Sequence, residues 1–234
     1  MIARYRDKRE EDSPSRANRE LAFLSVVFSH AFEQGLGGVK LNPVKGVGRV
    51  QLKRRKRYPT DAEYAAVYKH APETVQIAME IAYLCRLRAS EVIGTDLKDQ
   101  HEESAPGLMR QHIDDVKGLR VIRGKGSKTQ VVTWTPRLRA AVDRALKLPS
   151  TIGTMRVIHD EKGQKIRYDA FHDAWEAAMA KAVKEDGIES FRFHDLKRKG
   201  VTDAKGDKLA ASGHKSASMV PIYDVSVPEV GPTK

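Results

Sequence analysis

Apolar positions return along this chain at two spacings, and the spacings divide it into elements. Between residues 13 and 34, Leu21, Leu24, Phe28, Ala31 and Phe32 recur every three or four positions, which is one face of a helix. Ser13 suits its N-cap, Pro14 its first turn and Gly35 its end. A lone helix of this kind cannot bury that face by itself and must dock on something. Thr60 and Glu63 form a capping-box pattern that opens a helix with Tyr64, Val67 and Tyr68 facing inward. Pro72 starts another, through Val75, Met79 and Ala82 to about Leu84. Alternation then takes over in GLRVIRG (118–124) and TQVVTWTP (129–136), around the basic, glycine-bearing turn GKGSK. These predict two antiparallel strands, with LMRQHI (108–113) a candidate third. Pro136 opens a short helix to about Lys147. Residues 168–185 predict a longer one with Phe171, Trp175, Ala178 and Val183 on its apolar side. Beyond it the pattern breaks into short helical pieces at Gly200, Gly206, Gly213 and Pro221. No internal repeat is visible. The expected fold is mainly α with a small antiparallel β-sheet, of the α+β class.

Composition narrows the partners. The 234 residues, 40% of them hydrophobic, suffice for a real core in one large domain or one domain with a smaller companion. The net charge of +11 calls for an acidic partner. Nucleic acid leads, because each neutralised phosphate releases a counterion. A membrane is the weaker candidate, since no apolar stretch reaches the roughly 18 residues of a span. The N-terminus, MIARYRDKREED, has no apolar signal core. A single cysteine, Cys85, allows no internal disulfide and fits a reducing cytoplasm. Eight histidines without ligand spacing argue against zinc, so no metal site is expected. The stretch 41–60 has the glycines, prolines and charge of a linker, with Lys53, Arg54, Arg55, Lys56 and Arg57 in a row. That run reads either as a solvated tether or as a strap across a DNA backbone, and the overall charge favours the strap.

The densest chemistry lies near the end, from His194 to Tyr223, where two histidines, several basic residues and one tyrosine share 30 residues. A phenol is a weak nucleophile near its ordinary pKa of about 10. It becomes useful with a base nearby and cations aimed at the charge that develops on its target. Such a setting suits attack on an anion, and a phosphodiester is the obvious one. Taken singly, each residue has a plainer reading. Tyr223 alone is core or surface, Arg88 an ion pair with Glu91, Lys125 a solvated turn residue and His194 a helix cap. Phe171 and Trp175 read as core, and Cys85 as a small buried hydrophobe.

Five of these residues fall in a telling order: Arg88 in RLRASE, Lys125 in GKGSK, His194 in HDLK, His214 in GHKS, and Tyr223 nine positions later. Order and context resemble the tyrosine recombinases, and most of all the phage-type integrases. The resemblance divides the chain into residues 1–50, a remnant of the helical core-binding domain, 51–59, a basic linker, and 60–234, an integrase-like catalytic domain. It implies attack by Tyr223 on a DNA phosphate, leaving a 3′-phosphotyrosine and a free 5′-hydroxyl. Arg88 would clamp the non-bridging oxygens. Lys125 would protonate the leaving 5′-oxygen. His194 would act as base or hydrogen-bonding partner, His214 would donate to the phosphate, and Glu91 would buttress Arg88. No cofactor is implied, since the covalent link conserves the bond energy. The implied partners are double-stranded DNA with attachment-type sites, other copies of the chain in a tetramer on DNA, and a directionality factor, with no membrane. The implied location is a bacterial cytoplasm, on the nucleoid when DNA-bound.

The sequence also departs from the family's pattern. The second arginine of its HxxR box is Lys197, which lacks the bidentate fork. Arg198 follows, nearly on the same helical face, and leaves open which of the two takes that role. Arg86 stands where the family has glycine, so a turn needing positive φ would be strained. Pro221, two residues before the tyrosine, must kink or begin its helix. The chain also begins within the core-binding region, reducing it to one helix and making the whole read as N-terminally truncated. A DNA-binding remnant with little or no activity is therefore the second reading. A type IB topoisomerase-like relaxing activity is the third.

Overall fold

The computed structural model describes residues 1–53, 55–94, 107–123 and 128–226. The chain forms two compact units, Met1–Arg55 and Lys56–Lys234. In the first unit, helix α1 (Ile2–Asp12) pairs with α2 (Pro14–Glu33). The expectation of one lone helix is thus corrected. Helix α1 has no apolar stripe to reveal it, and polar bonds tie it to α2: the Tyr5 hydroxyl donates to Glu20 at 2.8 Å and Arg9 Nε to the same carboxylate at 3.0 Å. Part of the expected linker also belongs to this unit. Asn18 exchanges two hydrogen bonds with the Val50 backbone, and Asn42 Nδ2 donates to the Ser25 carbonyl at 2.9 Å. Ala17 and Leu21 are buried, whereas Phe23, Val26 and Phe32 are exposed.

The second unit is built around one helix. Thr60 and Glu63 form the capping box that opens α3 (Asp61–His70), as the sequence predicts. After Pro72 comes α4 (Glu73–Cys85), whose Val75, Ile77, Ala78, Met79, Ile81, Ala82 and Cys85 are all buried. Apolar residues on every side are what a central helix requires. Its one buried carboxylate, Glu80, is satisfied by the Tyr64 hydroxyl and by Arg137, whose Nε donates at 2.5 Å. Helices α5 (Ala89–Ile93), α6 (Pro136–Leu146), α7 (Tyr168–Asp186) and α8 (Asp195–Thr202) pack on α4. Phe171 and Trp175 are core residues of α7, as expected, but Val183 is 39% exposed and Ala182 takes the inward position.

The sheet has the order β1 (Ile113–Asp114), β2 (Gly118–Val121), β3 (Gln130–Val132), antiparallel throughout. The hairpin register pairs Leu119 with Val132 and Val121 with Gln130. The third strand begins at the end of LMRQHI rather than filling it. Arg110–His112 form a 3-10 turn held by the Met109 amide donating to His112 Nδ1. Near the C-terminus, α9 (Lys208–Ser212) leads through Gly213, at φ 70°, to α10 (Val220–Tyr223). Gly200, expected to break a helix, lies inside α8. A Cβ there would sit 2.2 Å from the Tyr83 carbonyl oxygen, so glycine is what lets α8 lie against α4.

Candidate active site

Four short segments bring the expected residues together: the turn after α4, the start of α8, the turn after α9, and α10. The first turn is set by Arg86, whose φ of 55° is the sole positive value outside glycine among the described residues. A left-handed non-glycine residue costs about 1–2 kcal/mol, so the strain foreseen from the missing glycine is present. The turn delivers Arg88 to the N-cap of α5, where its backbone N–H donates to Glu91 Oε2 and its Nη1 to Oε1, both at 2.8 Å. Glu91 is 2% exposed. Burial alone would raise its pKa, but the Lys197 charge, the Arg88 amide and the Arg88 guanidinium together hold it below the usual carboxylate value.

Helix α8 brings His194 and Lys197 to the same place. Lys197 is wholly buried, with Nζ 3.8 Å from Glu91 Oε2 and 5.6 Å from the centre of the Tyr223 ring. Burial pushes its pKa down to about 7; Glu91 opposes the shift, while Arg88 and Arg123 add to it. Arg198 faces elsewhere: its Nη1 donates to the Arg57 carbonyl at 3.0 Å and to Asp195 at 3.3 Å. One residue of helical rotation separates the two, and it places Lys197, not Arg198, at the site.

Tyr223 is buried, and Pro221 falls in the first turn of α10, so it begins that helix without kinking it. Thr202 Oγ1 donates to the Tyr223 carbonyl at 3.1 Å, fastening α10 to α8. The His214 ring stacks on the phenol at 4.8 Å and 27°, and the His194 ring lies 5.9 Å away at 60°. Arg88 reaches the same phenol. Burial works against its charge, but Glu91 and Tyr223 raise its pKa. Burial, followed by the charges of Lys197 and Arg88, lowers His214 to about 4. Burial, Arg88 and Lys197 push His194 in the same direction, although its exposed face lets solvent screen part of the effect. Both imidazoles are therefore neutral near pH 7. Among the described residues, Lys197 Nζ and both ring nitrogens of His214 have no hydrogen-bond partner. A cleft of about 340 Å³ adjoins the site, bounded by Arg88, His194 and Arg192 over a floor of Phe171, Trp175 and Phe193.

Some expected residues lie apart. Lys125 and Arg54 fall outside the described residues. Lys53, Arg55 and Lys56 are exposed, but Arg57 is drawn inward. It pairs with Glu63 at 2.5 Å and donates to the Tyr58 and Glu189 carbonyls. One residue that the sequence reading passed over is Arg123, which is 5% exposed and donates to the carbonyls of Arg86 and Cys85. Strand alternation carries a signal for it, because Leu119, Val121 and Arg123 share the inward face.

No protein-family model matches the chain. It is 28% identical over 137 residues to tyrosine recombinase XerC of Thermodesulfovibrio yellowstonii, a match covering 56% of this chain and 40% of that protein. The chain thus spans well under half of that curated relative. Among solved structures, a lambda integrase (75–356) dimer bound to a COC′ core site matches 100% of this chain and 82% of its own, with a TM-score of 0.72 at 18% identity. The Tn1549 transposon integrase, in complex with circular intermediate DNA, matches 97% of this chain and 80% of its own, with a TM-score of 0.70 at 14% identity. The fold is that of these integrases, and the resemblance to tyrosine recombinases read from the motifs is borne out.

Proposed function

We propose that this chain cuts and rejoins DNA at specific sites through a 3′-phosphotyrosine formed by Tyr223, in the integration or excision of a mobile element. The observation that carries this reading is the convergence on one phenol of Arg88, Lys197, His194 and His214, with three buried polar atoms that have no hydrogen-bond partner among the described residues. A buried donor without a partner costs about 1–3 kcal/mol. A phosphate placed there would supply acceptors and counter-charge together.

Each step has a group suited to it. Neutral His194 accepts the phenolic proton as the Tyr223 oxygen attacks phosphorus in line. The bond from phosphorus to the 5′-oxygen breaks, and that oxygen takes a proton. Lys125, which falls between β2 and β3 in the sequence, is the acid we assign to it on that ground alone. Arg88 holds the non-bridging oxygens with a fork oriented by Glu91. Neutral His214 donates its one N–H to the same phosphate, and Lys197 adds charge beneath it. Phosphoryl transfer depends mainly on such positioning and charge stabilisation. Reversal by the 5′-hydroxyl of another strand completes an exchange. Several of the solved integrases that share the fold are bound to DNA, one as a tetramer on a Holliday junction. On that ground we extend to this chain double-stranded DNA as substrate and assembly with further copies, with a directionality factor setting the balance of integration and excision. The setting is a bacterial cytoplasm.

A second reading, occupancy of DNA without cleavage, draws on one observation: Lys197, lowered to about 7, carries only part of its charge at neutral pH. Trapping on nicked DNA bearing the ends of the element that encodes the chain separates the two. The first reading expects a covalent adduct that survives denaturant and is absent with Tyr223→Phe. A gel shift without adduct supports the second.

A further inference from the structure

We propose that Arg123 is a positioning residue for strand transfer, locking the turn that presents Arg88 to the turn that presents His214. The inference rests on the tyrosine-transfer reading and adds to it a residue outside the expected set.

The need for such a lock starts at the end of α4. The last carbonyls of a helix have no partners within it, and they lie at the negative end of the helix dipole. Here the chain also turns through the left-handed Arg86 just before Arg88. Arg123 Nη1 donates to the Arg86 carbonyl at 2.7 Å and Nη2 to the Cys85 carbonyl at 2.9 Å. A fork on two successive carbonyls fixes the direction of that turn as a lysine cannot.

The third nitrogen reaches the other side. Arg123 Nε donates to Gln130 Oε1 at 3.1 Å, and Gln130 Nε2 donates to the Ala210 carbonyl in α9 at 2.5 Å. The Lys128 amide adds a bond to the Gly213 carbonyl at 2.9 Å. A Cβ on Gly213 would lie 2.5 Å from Arg123 Nε, so the glycine before His214 is what lets that turn rest on the guanidinium. All three nitrogens are engaged within the protein, so Arg123 holds other residues and does not touch substrate. The end of β2, the Arg88 turn and the His214 turn are thereby one unit. The Arg123 charge also bears on Lys197 and His214 from this side, beside Arg88 and against Glu91.

The test compares Arg123→Met and Gln130→Ala with the wild type, on nicked duplexes with either a normal or a methylphosphonate linkage at the cleavage position. The methyl group removes the phosphate's charge, and with it most of the need for an aligned Arg88. Misplacing a catalytic group by about 1 Å can cost on the order of a hundredfold. Arg123→Met should therefore lose at least about tenfold in adduct rate on the phosphodiester and less than about threefold on the methylphosphonate. Gln130→Ala, on a half-exposed strand position, follows in the same direction and decides the matter where Arg123→Met does not fold. Equal losses on both linkages, or no loss, with wild-type adduct intact, overturn the inference alone. No adduct from the wild type on either linkage defeats the tyrosine-transfer reading, and the inference with it.

Discussion

The imidazole of His214 lies flat against the phenol of Tyr223, 4.8 Å between centroids, and neither of its ring nitrogens finds a hydrogen-bond partner among the described residues. A histidine held this way is kept neutral. Its folded pKa of about 4 lies below the unfolded value near 6.5, so the unfolded chain takes up the proton first. Stability is then lost as pH falls from about 6.5 through 4. The cost at pH 5 is of order 1 kcal/mol after allowance for solvent screening. Urea midpoints at pH 7 and pH 5 should fall further apart in the wild type than in His214→Asn. Equal differences would contradict the neutral assignment.

Lys197 sets a second pH dependence. Its charge is present below about 7 and lost above it, so single-turnover adduct formation should decline from pH 7 toward pH 9. Lys197→Arg keeps its charge throughout and should flatten that limb, whereas Lys197→Met should be low at every pH. The linkage to stability runs the other way. With the folded pKa below the unfolded one, stability contributed at this position increases as pH rises from about 7 toward 10.4. A pH–rate profile unchanged by Lys197→Arg would remove Lys197 from the reacting centre.

The basic run should split in two. Lys53→Ala and Lys56→Ala should each weaken DNA binding at all sequences and reduce the salt slope by about 0.9, one phosphate apiece. Arg57→Ala should act on folding, because it takes the guanidinium from the part-buried Glu63, whose pKa is held down by Arg57 and the Thr60 amide against burial. Breaking a fully buried pair costs about 3–5 kcal/mol, and this part-buried one, whose Glu63 keeps its bonds to Thr60, should cost less than that. Fluorescence titrations across a salt series, with urea melts alongside, distinguish the two behaviours.

Gly200→Ala should cost about 1–3 kcal/mol, because its methyl group would press on the Tyr83 backbone, which cannot move aside. A urea midpoint equal to wild type would show that α8 has slack against α4.

Elements driven by local rules were legible in the sequence. The capping box at Thr60 and Glu63, the prolines opening α2 and α6, and the alternation of β2 and β3 each act within a few residues. What escaped depends on distant partners. Helix α1 offers no apolar period and buries no residue, and the bonds that tie it to Glu20 are polar. Gly200 looks like a breaker until α4 is known to pass beneath it. Arg57 reads as one more solvated cation until Glu63 and Glu189 close on it. At the site, residue types and order pointed to Arg88, His194, His214 and Tyr223, which the fold assembles. Only geometry chose Lys197 over Arg198 and revealed the buried Arg123.

The most direct test of the account is the chemical identity of the trapped link. Wild-type protein is incubated with the nicked duplex and digested with trypsin, and the DNA-bound peptide is sequenced by mass spectrometry. Cleavage after Lys215 yields residues 216–234, in which Tyr223 is the sole tyrosine. This peptide should carry the nucleotide on the Tyr223 oxygen through a 3′-phosphate. A link at any other residue, or through a 5′-phosphate, would contradict it.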